Sequence, residues 1–283
     1  MNFNDIFEEI KSSPEKHPRD NTEYKRLEYE LLELVQKSGF ISGGSSKDNF
    51  GPFGEISFPY LKMGAIDSLD LFGLDEVIIF SYYYNNRHRY KKVSDIGANI
   101  GLHSLLMSKC GYQVEAYEPD PRHIEIIENN FKLNNVNSVK INQVAVSDVH
   151  DKTKFIRVLG NTTGSHIAGA KEDPYGELET FDVNVTSATE IFKNSDFIKM
   201  DVEGEEAKII SSTSKEDWDY VDMILEVGTE TNKRIVFDHL NNIGVNMFSQ
   251  KKAWNKVETI EDIPSSYKEG SLFVSTDEKM IWS

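Results

Sequence analysis

From residue 92 onward the chain alternates short apolar runs with amphipathic ones, and few folds accommodate that alternation. Residues 92–97, 112–117 and 139–146 read as strands, and 99–110 and 121–133 read as helices. The second helix opens with Pro121 in its first turn and carries Ile124, Ile127 and Phe131 on one face. Strands at 197–200, 221–227, 245–249 and 272–274 continue the series, with helices from about 205 and over 232–242. Residues 154–159 and 181–185 read as an inserted antiparallel pair around a Gly-rich loop, 160–176, so the insertion spans about 152–186. Repeated strand–helix–strand units join parallel strands through right-handed crossovers, which puts helices on both faces of a sheet. The predicted fold class is α/β: a doubly wound, mostly parallel sheet over residues 91–283.

Residues 1–90 follow another pattern. Asn21-Thr22-Glu23 supplies helix-capping residues, and Leu27, Leu31, Leu34 and Val35 recur at helical spacing. The Gly/Ser stretch 41–47 reads as a loop. A second helix-like run, 75–84, opens with acidic residues and is followed by Arg87, His88 and Arg89, the charge order that the helix dipole favours. This segment is expected to be a helical cap over an acceptor site, or a contact in a homo-oligomer. Tyr82-Tyr83-Tyr84 is read as a helix end packed on the sheet in preference to a stacking surface for a sugar.

Charge narrows the partners. The chain has 31 Lys and Arg against 47 Asp and Glu, a formal net charge of −16. Phosphate backbones and anionic lipid would repel such a chain, so nucleic acid and membrane are not expected as partners. The single cysteine, Cys110, excludes an intramolecular disulfide and reads as a small buried residue in a reducing compartment. With no apolar run of membrane-spanning length and no signal-like N-terminus, a cytoplasmic location is expected.

In a doubly wound sheet, ligands bind at the carboxyl ends of the strands. The first such end is Asp95-Ile96-Gly97-Ala98-Asn99-Ile100-Gly101, where Gly97 allows a tight turn and close ligand approach, Asn99 is a helix-cap candidate, and Gly101 permits close helix packing. A dinucleotide fingerprint would carry glycine where Asn99 stands and a small residue at Leu102, so the pattern leans away from NAD. Glu118, about twenty residues further on in Tyr117-Glu118-Pro119-Asp120, is placed to accept both ribose hydroxyls of a nucleoside. The third strand end, Ala145-Val146-Ser147-Asp148, brings Ser147 to the pocket and Asp148 to an adenine amine. The fourth, Phe197-Ile198-Lys199-Met200-Asp201-Val202-Glu203-Gly204-Glu205-Glu206, delivers carboxylates that are catalytic, metal-binding or solvated helix-start charges. Glu226, near the end of an otherwise apolar fifth strand, needs a partner, and an active site would provide one.

These motifs, in this order, resemble the FkbM family of S-adenosylmethionine-dependent methyltransferases over roughly residues 91–230. The resemblance implies a seven-stranded Rossmann-like sheet and O-methylation of a small-molecule hydroxyl, often on a sugar or polyketide. Carried onto this sequence, Asp95, Gly97, Asn99 and Gly101 would hold the methionine end of the cofactor. Glu118 would take its ribose and Ser147 and Asp148 its adenine side, while Asp201 and Glu203 would face the reacting centre. Where the family often places an aromatic residue or His after the fifth-strand Glu, this chain has Val227-Gly228.

Methyl transfer from a sulfonium requires alignment of the acceptor oxygen and removal of its proton. Asp201 is the first candidate base, followed by Glu203, Glu226, His103 and His166. Asp201, Glu203 and Glu226 on Mg²⁺ form the less favoured alternative, since no compact ligand set is visible. Two further readings are an NAD-dependent oxidoreductase, which Glu118 would also suit, and a non-catalytic cofactor-binding protein.

Overall fold

The computed structural model describes residues 1–41, 46–64, 66–159, 164–170 and 176–282. The centre of the Gly/Ser stretch and much of the 160–176 loop lie outside the described residues.

Two amphipathic helices begin the chain. Asn2 and Asp5 form a reciprocal capping box on α1 (Phe3–Ser12), and the Asn21 side chain accepts the Glu23 N–H at the start of α2 (Thr22–Lys37). Each buries one stripe: Phe3, Ile6, Phe7 and Ile10 in α1, and Tyr24, Leu27, Leu31 and Val35 in α2. A short hairpin, β1 (Asp48–Asn49) and β2 (Glu55–Ile56), leads to α3 (Leu74–Asn85). Helix α3 is apolar almost all round because it is sandwiched between these helices and the sheet, with the Tyr82 ring 5.7 Å from Phe197 and 5.5 Å from Phe273. Tyr82 and Tyr83 are core residues. One continuous apolar cluster joins Phe3 and Leu27 to Leu105, Phe197 and Phe273, so residues 1–90 share their core with one sheet face.

The central strands are β3 (Lys92–Ile96), β4 (Gln113–Tyr117) and β5 (Lys140–Asn142), then β10 (Phe197–Met200) and β11 (Asp222–Leu225). Their spatial order is β5-β4-β3-β10-β11, all parallel. The sheet then turns antiparallel through β14 (Leu272–Ser275), β12 (Asn246–Ser249) and the two-residue edge strand β13 (Asn255–Lys256). The seven expected strands are present, with β13 added. Helices α4 (Leu102–Lys109) and α5 (Pro121–Leu133) follow β3 and β4. The opposite face is covered by α7 (Glu206–Ser211) and α8 (Glu230–Ile243), whose Ile209, Ile210, Val236 and Leu240 pack with Met223 and Val274. The fold is therefore a Rossmann-like, doubly wound α/β sheet. Cys110 is partly buried, and burial pushes its thiol up to about 12.

One sequence reading needs correction. The run 139–146 is two strands, not one. The Val144 N–H donates to the Asn142 carbonyl at 2.9 Å, a two-residue reversal that ends β5 and re-aims the chain. The next strand, β6 (Ala145–Ser147), belongs to a second sheet with β7 (Asp151–Val158), β8 (His166–Ile167) and β9 (Leu178–Ser187), in the order β6-β9-β7-β8. Strands β7 and β9 are the antiparallel pair of the insertion, longer than the sequence pattern implies. A short α6 (Ala188–Phe192) returns the chain to β10. Among the described residues, no helix is long and apolar enough to cross a membrane.

Candidate active site

Connections leave β3 toward β4 and β10 toward β11, in opposite directions, so a crevice opens between the carboxyl ends of β3 and β10. An open cleft occupies this place. Gly97, Asn99, Glu118, Asp201 and Glu203 line it, as do Pro119, His123, Val144, Phe155, Ser165 and Ile167.

The β3 turn is built from backbone. The N–H groups of Gly97 and Ala98 both donate to the Tyr117 carbonyl at 3.0 Å, and the Asp201 N–H donates to Ile96 at 2.9 Å. Gly97 has φ +81°, and a Cβ there would lie 1.7 Å from the Asp201 carbonyl oxygen. Asn99 is left-handed at φ 51°, so it is not the helix cap expected from sequence. Gly101 occupies that place instead, and α4 starts at Leu102 because three positive-φ residues, Gly97, Asn99 and Gly101, are used to turn the chain. A Cβ on Gly101 would press on Ile127 and Phe131 of α5.

Glu118 is 5% exposed. Its Oε2 accepts the Asn99 N–H at 2.9 Å and its Oε1 the Asp120 N–H, also at 2.9 Å. Two loops thus fix the carboxylate, and His123 Nδ1 stands 3.3 Å from Oε1. Asp95 lies behind the turn, fully buried, accepting the Ser104 hydroxyl at 2.6 Å. Its Oδ1 and the Asn99 Oδ1 are buried without a hydrogen-bond partner among the described residues. Ser147 donates to Glu205 at 2.5 Å, and Asp148 pairs with Lys208 at 3.1 Å, so neither reaches the cleft lining.

Acidic groups gather at the ends of β10 and β11. The Asp201 side chain is 37% exposed, and Lys199 Nζ lies 3.8 Å from its Oδ2. Burial works against the Lys199 ammonium, but Asp201, Asp95, Glu76 and Glu226 outweigh it and hold its pKa above the ordinary value. Burial, together with Asp201, Glu76 and Glu203, pushes the Glu226 carboxyl well above the usual carboxylate range. Glu206 accepts the N–H groups of Val202 at 3.1 Å and Gly204 at 3.0 Å, and the Asn232 amide at 3.1 Å. Its carboxyl is pushed up to about 7, by burial first and then by Asp201. Glu205 and Glu206 are both buried, which removes the reading of them as solvated helix-start charges.

The two histidines are engaged elsewhere. His103 meets the Tyr83 hydroxyl at Nδ1 and Glu76 at Nε2, both at 2.9 Å. His166 Nδ1 donates to the Gly164 carbonyl at 2.9 Å, and its neighbours Ser165 and Ile167 are the ones that line the cleft. Among the described residues, no group of three or more His, Cys, Asp or Glu is arranged to hold a metal ion.

Sequence reasoning passed over His123, Phe155, Ser165 and Ile167, and gave no role to Lys199 or Glu76. The last two carry a retrospective signal: a lysine inside an apolar strand, and an acidic residue opening an otherwise apolar helix. Phe155, Ser165 and Ile167 carry none, because only the folded insertion brings them to the cleft.

Residues 95–254 match the family model described as Methyltransferase FkbM domain. Methyltransferase 1 of Beauveria bassiana (strain ARSEF 2860) is 25% identical over an alignment 157 positions long that covers 47% of this chain and 62% of that protein. Among solved structures, the SAM-dependent methyltransferase from Agrobacterium tumefaciens matches with a TM-score of 0.39 at 9% identity, over 72% of this chain and 62% of that one. The O-methyltransferase from Bacillus cereus in complex with SAH also gives 0.39, at 10% identity, over 69% and 78% of the two chains. The chain thus spans less than two thirds of the fungal relative and of the Agrobacterium protein.

Proposed function

The chain belongs to the FkbM methyltransferase family, and we propose that it is an S-adenosylmethionine-dependent O-methyltransferase acting on a hydroxyl of a small molecule, a sugar or glycan precursor. The family match favours S-adenosylmethionine over NAD, and the observation that carries the nucleoside part of this reading is Glu118. Held by two backbone N–H groups on the wall of a mostly apolar cleft, it retains lone pairs for a ribose diol. The remaining residues fit the same cofactor. Phe155, Ile167, Val144 and Pro119 supply apolar walls for an adenine, and Gly97 and Asn99 line the part of the cleft where the methionine end would lie.

When bound, S-adenosylmethionine supplies an electrophilic methyl group on a sulfonium. Asp201, which faces the cleft, receives the proton of the acceptor hydroxyl, and Lys199 behind it steadies its charge. Glu226 stands nearby at the end of β11, its carboxyl held above the usual carboxylate range by burial and by Asp201, Glu76 and Glu203. Glu203 lines the same end of the cleft. His103, hydrogen-bonded to Tyr83 at Nδ1 and beside the Glu76 carboxylate at Nε2, joins α4 to α3. A small-molecule acceptor in preference to nucleic acid or membrane is in keeping with the net charge of −16.

Asp201→Asn tests the mechanism in a screen of sugar, polyol and glycan-precursor acceptors that follows S-adenosylhomocysteine release. Loss of a general base of this kind slows turnover by about 10²- to 10⁴-fold, with S-adenosylhomocysteine affinity nearly unchanged. An Asp201→Asn enzyme as fast as wild type removes Asp201 as the base.

A further inference from the structure

Arg157 is a buried charge that the methyl-transfer chemistry does not use. It sits near the end of β7, and its side chain and that of Asp120 are 3% and 1% exposed. Its guanidinium grips the Asp120 carboxylate with two bonds, Nε to Oδ2 at 2.6 Å and Nη2 to Oδ1 at 2.5 Å. Nη1 reaches Glu179 on β9 at 2.5 Å, and the guanidinium lies over the Phe181 ring at 4.6 Å. The bidentate grip on Asp120 thus joins the second sheet to one loop of the main sheet, while the Glu179 bond ties β7 to β9.

That loop is the one that aims Glu118. Asp120 caps α5 by accepting the Arg122 N–H at 2.8 Å, and its own N–H donates to Glu118 Oε1. Arg157 therefore acts on the ribose carboxylate through a single intermediary. The sheet it anchors also contributes Phe155, Ser165 and Ile167 to the cleft. A fully desolvated ion pair is a poor source of stability, since apolar residues of similar volume often do as well. What a bidentate guanidinium–carboxylate pair adds is orientation, and lysine cannot reproduce it.

We propose that Arg157 is a positioning residue for the nucleoside: through Asp120 it sets the Glu118 carboxylate and holds the second sheet as one wall of the cofactor pocket. This inference rests on the reading of the cleft as an S-adenosylmethionine site. It makes the insertion a part of the binding machinery, and the Arg157–Asp120 pair the latch between its two halves.

Calorimetric titration with S-adenosylhomocysteine and with 5′-methylthioadenosine tests this on wild type, Arg157→Lys, Arg157→Met, Asp120→Asn and the Arg157→Met/Asp120→Asn double variant. Circular-dichroism melts without ligand establish which variants are folded at the assay temperature. The expected result is a Kd at least tenfold weaker for both ligands in each single variant, with the double variant no weaker than the weaker single one, because both changes break the same latch. The same factor for both ligands places the effect at the nucleoside and not at the amino acid end. Folded Arg157→Lys and Asp120→Asn proteins that bind within twofold of wild type would overturn the proposal. So would unfolding of both, which would make the pair a requirement of the fold alone. Wild type that binds neither ligand would instead remove the cofactor reading on which the proposal rests.

Discussion

The carbonyl oxygen of Asp201 occupies the space that a side chain on Gly97 would need, 1.7 Å from an ideal Cβ. The first and fourth strand ends are therefore in backbone contact, and the base candidate is positioned by the cofactor turn. Gly97→Ala must move one strand end and also hold alanine at φ +81°. A destabilisation of about 3 kcal/mol is expected, as for other backbone-strain substitutions. Urea unfolding checks the loss of stability, and S-adenosylhomocysteine titration should show affinity falling with it.

Glu206 ties the Val202–Gly204 turn to α8 through Asn232, and its carboxyl is raised to about 7 against an ordinary value of 4.5. The folded state therefore binds this proton more tightly than the unfolded state does. Its contribution is complete below pH 4.5 and is lost as pH rises through 7, a change on the order of a few kcal/mol for such a shift. In Glu206→Gln that pH dependence should vanish. Thermal melts of both proteins between pH 4.5 and 8 measure it, and parallel profiles would refute the assignment.

His17 works in the opposite sense. It accepts the Trp254 indole N–H at Nδ1 (2.8 Å), donates from Nε2 to the Ile10 carbonyl (2.9 Å), and lies against Trp282. Burial lowers its pKa from 6.5 to about 4, so its stabilisation is present above pH 6.5 and is lost as pH falls through 4. Because the ring clamps α1 to the C-terminal aromatic residues, the loss should open that junction first. Tryptophan fluorescence monitored from pH 7 to 4 reports it, and His17→Gln should shift the acid transition.

Much of this fold can be read from sequence, because strand-helix alternation after residue 91 and the capping residue Asn21 are local signals. The division of 139–146 is not local. Alternating apolar residues say that a strand forms, not which sheet it joins, and the reversal at Val144 depends on a partner, β9, some forty residues away. The same limit applies to the cleft. Gly97, Asn99, Glu118 and Asp201 stand at strand ends and are legible, whereas Phe155 and Ile167 enter it only once β7 is latched to Asp120. Asn99 misleads for a different reason: a residue that caps helices well also tolerates left-handed φ, and the turn uses the second property.

The central claim is that the cleft between β3 and β10 takes a nucleoside sulfonium cofactor with Glu118 on its ribose. Calorimetry of wild type and Glu118→Gln with S-adenosylhomocysteine, and of wild type with NAD, measures this directly. One-to-one binding of S-adenosylhomocysteine, weakened at least tenfold by Glu118→Gln, with no heat from NAD, is the result predicted. Tight NAD binding without S-adenosylhomocysteine binding, or S-adenosylhomocysteine affinity untouched by Glu118→Gln, would contradict it.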